Sequence, residues 1–121
     1  MDPKEIFNQL IMPEFSMKCV AACTLGLQET EMEAYITLLK NGPMTVQELA
    51  EKIGKSRPTS QRILLNLMNK GAAYRKKYPY LKGGYAYVYE AVSLEILKKI
   101  IIEKIKKWCK KAIETIERYK I

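Results

Sequence analysis

The chain has 121 residues, a net charge of +8 and no histidine, so the commonest general base and the commonest metal ligand are both missing. Its length suits one domain with at most an added arm; 48% hydrophobic residues suffice for a core, and no apolar run reaches the roughly 20 residues of a membrane span. Three cysteines and an N-terminus, MDPKEIFNQL, without the layout of a secretory signal predict a reducing, cytoplasmic setting.

The charge is unevenly placed. Residues 1–51 carry three basic and eight acidic side chains, and residues 90–121 nine basic and five acidic. Between them, residues 52–89 carry nine basic side chains and no acidic one. A solvated surface mixes both signs. An acid-free basic segment of this length points to an anionic partner, with nucleic acid the first candidate.

Along the chain, Asp2 and Pro3 cap a first short helix with Ile6, Phe7, Leu10 and Ile11 on one side, broken at Met12-Pro13. A second helix is predicted from Glu14 to about Leu25, ended by Gly26. The next is predicted to start at Thr30, with Glu33 completing a capping box, and carries Met32, Tyr35, Ile36 and Leu39 at helical spacing before Asn41-Gly42-Pro43 stops it. Thr45 opens another through T-V-Q-E, with Val46, Leu49, Ala50 and Ile53 as its buried face and Gly54 at its end. Ser56 caps a further helix that admits Pro58 in its first turn, buries Ser60, Ile63, Leu64, Leu67 and Met68, and stops at Gly71. The A-x-x-x-G junction of Ala50 and Gly54 lets the two helices approach and turns the chain sharply, the layout of a helix-turn-helix. Ser60 departs from it, since a branched aliphatic is more usual there.

Residues 72–92 change period. AAYRKKY and YAYVYEAV read as two strands joined by a PYLKGG turn, with Tyr85, Tyr87 and Tyr89 sharing one face as packing residues. Ser93 caps a last helix of up to 28 residues whose apolar stripe runs through Leu94, Leu97, Ile101, Ile105, Trp108, Ala112, Ile116 and Tyr119. One small domain cannot cover a stripe that long, and an uncovered stripe is an interface. The fold class expected is mostly α with a two- or three-stranded antiparallel wing: an N-terminal helical arm over 1–24, a winged helix-turn-helix over 25–92, and a C-terminal dimerisation helix over 93–121.

"LGLQETEMEAYITLLKNGPMTVQELAEKIGKSRPTSQRILLNLMNKG" resembles the winged-helix domain of the TrmB-type archaeal transcription regulators, and "GGYAYVYEAVSLEILKKI" is similar to that family's second wing strand and following helix. The resemblance covers about residues 25–100. It implies sequence-specific binding of duplex DNA, with Ser56, Arg57, Thr59, Gln61 and Arg62 at the recognition-helix positions. Larger relatives carry a sugar-binding effector domain where this chain has a helix, so the likeness is nearer to short regulators that dimerise through a terminal helix.

The residues themselves give a matching set. Lys55 joins the family positions at the start of the helix; Thr59, Arg62, Asn66 and Asn69 lie opposite its apolar stripe, with Gln61 at the margin. Arg75, Lys76, Lys77 and Lys82 in the wing suit phosphate contacts. Leu97, Ile101, Ile105, Trp108, Ala112 and Ile116 are the expected homodimer interface. No catalytic, cofactor or metal motif emerges, and GKS at 54–56 lacks the upstream glycine of a phosphate loop. Two alternatives stand beside the DNA-binding homodimer. One is a redox-responsive regulator using Cys19 and Cys23, spaced i, i+4. The other is a winged-helix protein-interaction module of the transcription machinery.

Overall fold

The computed structural model describes residues 16–79 and 83–121. The expected first helix, the start of the second at Glu14, and Tyr80, Leu81 and Lys82 of the wing tip lie outside these residues.

Among the described residues, five helices and a two-stranded ribbon follow in the order α1 (Met17–Leu25), α2 (Glu29–Asn41), α3 (Val46–Ile53), α4 (Arg57–Asn69), β1 (Ala73–Pro79), β2 (Tyr85–Ala91) and α5 (Leu94–Arg118). Local chemistry sets most of the boundaries. The Ser16 hydroxyl accepts from Cys19 N–H at the start of α1, that of Ser56 from Thr59 N–H at α4, and that of Ser93 from Ile96 N–H at α5. Thr45 and Glu48 form the reciprocal capping box of α3. Helix α4 closes in a Schellman arrangement: Ala72 N–H donates to Leu67 C=O and Gly71 N–H to Met68 C=O, with Gly71 at φ +78°.

Helix α2 departs from expectation. It begins two residues earlier than Thr30 suggests, with Gln28 as N-cap and Glu31 as the partner whose carboxylate accepts the Gln28 N–H. Both Q-E-T-E and T-E-M-E have capping-box spacing. The first wins because Glu31 also meets Lys70 and Asn66 of the α4 end, which Glu33, exposed on the opposite side, does not.

Leu38, Leu49, Ile63, Leu64 and Leu67 form the centre of one core shared by α2, α3 and α4. Ala21 and Leu25 of α1 and Leu97 and Ile101 of α5 belong to the same core, where α1 packs on α5. The strands pair antiparallel from Ala73↔Ala91 to Pro79↔Tyr85. A single bridge, Met44↔Tyr89, ties the ribbon to the chain entering α3, with N···O distances of 2.9 and 2.7 Å. The ribbon is therefore two-stranded with one bridged residue as the vestige of a third strand. The Tyr35 hydroxyl donates to Val92 C=O at 2.8 Å and fixes the exit of β2 against α2.

Helix α5 divides in two. Leu97 and Ile101 are fully buried in the chain's own core, which removes them from the surface an interface could use. Ile102, Ile105, Trp108, Ile113, Ile116 and Tyr119 beyond them are exposed, Trp108 at 71%. No helix among the described residues is long and apolar enough to cross a membrane.

Candidate nucleic-acid interface

Helix α4 is held between α2, α3 and β1, and its outward face is set by what those contacts leave free. Ile63, Leu64 and Leu67 point inward, as does Ser60, whose buried hydroxyl has no hydrogen-bond partner among the described residues. Lys55, Ser56, Arg57, Arg62 and Asn69 are exposed, and Thr59 is half-buried with its hydroxyl accepting from Ser56 at 2.9 Å. Leu65 stands exposed between Arg62 and Asn69 on the outward face. The sequence reading missed it; its place three residues after Arg62 and four before Asn69 is the signal that puts it on their face.

Two polar residues expected on that face are tied inward. Asn66 donates its side-chain amide to Glu31 at 2.9 Å. Gln61 donates to the Tyr89 hydroxyl at 3.0 Å. The Glu31 carboxylate, only 2% exposed, also accepts from Lys70 Nζ at 2.6 Å. Burial by itself pushes the Glu31 carboxyl up; the Lys70 ammonium, the Gln28 N–H and the Asn66 amide outweigh it and hold the group below its usual range. Lys70 also donates to Gly26 C=O at 2.8 Å, so it serves as a strut between α4 and the α1–α2 turn.

The wing has two unlike faces. Cross-strand pairing puts Arg75 opposite Tyr89, Lys77 opposite Tyr87 and Pro79 opposite Tyr85, so these six share one face. The Arg75 guanidinium lies 4.1 Å from the Tyr87 ring centre and reaches the Tyr89 hydroxyl at 3.4 Å; Lys77 Nζ is 5.2 Å from the Tyr85 ring. Through Tyr89 and Gln61 this face is continuous with α4. The other face carries Tyr74, Lys76 and Tyr78, where Lys76 lies 3.7 Å from the Glu90 carboxylate. Of the three tyrosines expected to pack, Tyr89 is buried, while Tyr85 and Tyr87 are exposed beneath cations. A two-stranded ribbon has no second layer to cover them.

Among the described residues, Lys52, Lys55, Arg57, Arg62, Arg75 and Lys77 form no ion pair; in the same segment only Lys70 and Lys76 do. An exposed helix edge and an adjoining strand face thus present uncompensated positive charge. Cys19 is half-buried and Cys23 exposed on α1, and Cys109 is exposed on α5; all three are free thiols.

A helix-turn-helix followed by a β-ribbon, with the ribbon's charged face running on from the second helix, defines a winged-helix protein. The family model described as "Sugar-specific transcriptional regulator TrmB" matches residues 22–95. The chain is 42% identical over 99 residues to the uncharacterized protein MJ1503 of the archaeon Methanocaldococcus jannaschii, covering 79% of this chain and 75% of that one. It is 41% identical over 103 residues to protein MJ1082 of the same organism, covering 85% and 83%. The chain belongs to the TrmB family.

Solved structures share the fold. A "possible transcriptional regulator" from Methanosarcina mazei superposes with a TM-score of 0.75 at 20% identity over 84% of this chain and 87% of that one. The ST1889 protein of Sulfolobus tokodaii gives 0.63 at 23% identity over 77% and 91%. A mutant of Staphylococcus aureus MepR, solved bound to an oligodeoxyribonucleotide, gives 0.51 at 13% identity over 97% and 75%.

Proposed function

We propose that the chain is a sequence-specific, double-stranded-DNA-binding transcription regulator that acts as a cytoplasmic homodimer and performs no catalysis. Helix α4 enters the major groove, and the Arg75–Lys77 face of the wing tracks the adjoining backbone. The observation that carries this reading is the unpaired positive surface of Lys55, Arg57, Arg62, Arg75 and Lys77 on one recognition helix and the wing face joined to it. Charge of this kind draws in phosphates. The outward edge of α4 supplies donors at Arg62 and Asn69 and an apolar contact at Leu65 for base edges. Lys82 extends the wing set by its place in the sequence. The fold shared with MepR, solved on an oligodeoxyribonucleotide, supports the same use of the surface.

Dimerisation rests on the outer half of α5. A 25-residue helix is about 37 Å long, and its second half leaves Ile105, Trp108, Ala112 and Ile116 along one stripe with no covering element among the described residues. A second copy of the same helix covers that stripe through a closed two-fold contact. Lys106, Lys107, Lys110 and Lys111 repel in a parallel pair, which favours antiparallel or crossed helices.

Selection from a random pool of duplexes tests the reading. The protein enriches a two-fold symmetric sequence whose half-sites lie about one helical turn, or a multiple of it, apart. A pool that stays unenriched refutes specific recognition. A monomer at micromolar concentration in sedimentation refutes the dimer.

A further inference from the structure

The Tyr89 hydroxyl occupies a position that neither packing nor direct recognition accounts for. Its ring is 1% exposed, which leaves no path to a groove. Its backbone is pinned from both sides by the Met44 bridge, through Met44 N–H to Tyr89 C=O at 2.9 Å and Tyr89 N–H to Met44 C=O at 2.7 Å. The hydroxyl at the end of this fixed ring accepts from Gln61 Nε2 of α4 at 3.0 Å and from Arg75 of β1 at 3.4 Å. Arg75 is held on its second side by the Tyr87 ring. One buried oxygen therefore receives donors from two different elements, α4 and β1.

Phenylalanine would fill the same space, so packing alone does not ask for a hydroxyl. An unpartnered buried hydroxyl would be a cost, as at Ser60; here it has two donors. Each donor keeps capacity for a second partner. With one N–H on Tyr89, Gln61 retains its other N–H and its carbonyl oxygen, and Arg75 retains four N–H groups. The tie fixes their direction without using them up.

Resting on the DNA-binding reading above, we infer that the Tyr89 hydroxyl is a positioning group that locks Gln61 of the recognition helix and Arg75 of the wing into one rigid reading unit, so that α4 and the wing discriminate DNA jointly rather than as independent contacts. Rigid preorganisation of this kind lowers the ordering cost of binding the matched duplex. A mismatched duplex, which engages phosphates only, gains little from it.

The test uses full-length protein, the duplex most enriched by the wild type from a random pool, and a scrambled duplex of the same composition. Tyr89→Phe is expected to weaken binding to the enriched duplex about fivefold while changing the scrambled duplex less than twofold. Gln61→Met, which keeps length and removes the donor, is expected to give a similar loss. The double variant Tyr89→Phe/Gln61→Met is expected to be no weaker than the more affected single variant. Additive losses would overturn the inference, because Gln61 would then act on DNA independently of Tyr89. Equal weakening on both duplexes would also overturn it, since a general loosening of the fold moves both. If Tyr89→Phe melts at room temperature, the pair Gln61→Met and Arg75→Met replaces it, and coupling between those two residues decides. A wild type that enriches no duplex refutes the sequence-specific DNA recognition proposed above, and is told apart because it fails before any variant is made.

Discussion

The two faces of the wing give the sharpest functional prediction. Lys76 and Lys77 are adjacent in sequence and equal in charge, yet strand geometry sends them to opposite sides. Lys77 lies on the face that continues into α4, above Tyr85 and Tyr87 and with no carboxylate partner among the described residues. Lys76 lies on the far face, 3.7 Å from Glu90. If the α4 side meets DNA, Lys77→Ala removes one phosphate contact and Lys76→Ala none. Losing one contact shallows the slope of log affinity against log salt by about 0.9. Across a fourfold rise in salt, the Lys77→Ala protein should then lose about 3.5-fold less affinity than the wild type does. Lys76→Ala should keep the wild-type slope. Both side chains are exposed, so neither change should move stability by more than about 0.5 kcal/mol. Fluorescence anisotropy with one labelled duplex at several salt concentrations reads the slopes. Equal slope changes for the two variants, or a larger change for Lys76→Ala, would show that the Arg75–Lys77 face is not the one that tracks the backbone.

Three further outcomes follow from the same geometry. Because the Glu31 carboxyl is held below its unfolded value, its contribution to stability is complete above about pH 4.3 and lost as pH falls through the lower folded-state pKa; Glu31→Gln should flatten that acid-side loss in denaturation curves, and Glu31→Ala should cost about 3 kcal/mol by stranding Lys70 and Asn66. Ser60→Ala removes a buried hydroxyl without a partner among the described residues and should raise stability by about 1 kcal/mol in urea unfolding, with a loss counting against the hydroxyl's being unsatisfied. Ile105→Asp should abolish the dimer in sedimentation while leaving the monomer's helical signal intact, since Ile105 is already exposed on the single chain; an unshifted dimer would move the interface elsewhere.

How much of this was legible in the sequence depends on whether the deciding contact was local. The capping box at Thr45, the caps at Ser56 and Ser93, and the glycine stop at Gly71 are all settled within a few residues, and the structure has them where the pattern puts them. The start of α2 is not, because two overlapping capping boxes compete and the choice falls to Lys70 and Asn66, 39 and 35 residues away from Glu31. The helical stripe of α4 was legible too, but a stripe separates inside from outside only. It cannot tell that Gln61 turns toward the ribbon and Asn66 toward α2. The period of two in β2 put its three tyrosines on one face, yet their burial depends on whether anything lies over that face, and only Tyr89 reaches back to the helices. In α5 the period runs unbroken from Leu97 to Ile116, and nothing in it marks the point past Ile101 where the chain's own core ends.

The internal ties on α4 bear on how this surface could discriminate among sequences. Toward its start, Gln61 is fixed through Tyr89 to the wing; toward its end, Asn66 and Lys70 are fixed through Glu31 to α2. Each tie withdraws a polar side chain from free rotation and sets the roll of the helix about its axis. What remains on the outward edge is a short series of Arg62, Leu65 and Asn69, flanked by Arg57. Arginine suits the acceptors of guanine, an aliphatic side chain suits the thymine methyl, and asparagine suits adenine. A helix free to roll could offset a mismatch at one of these by shifting the others. Pinned at both ends it cannot, so a wrong base should leave a donor unpaired at its own position. Under the proposed DNA-binding reading, the buried Glu31 cluster, whose ions are costly to desolvate, then has a use in recognition as well as in stability: it holds α4 at one roll angle, so that a mismatch at Arg62, Leu65 or Asn69 is not offset by a shift of the helix.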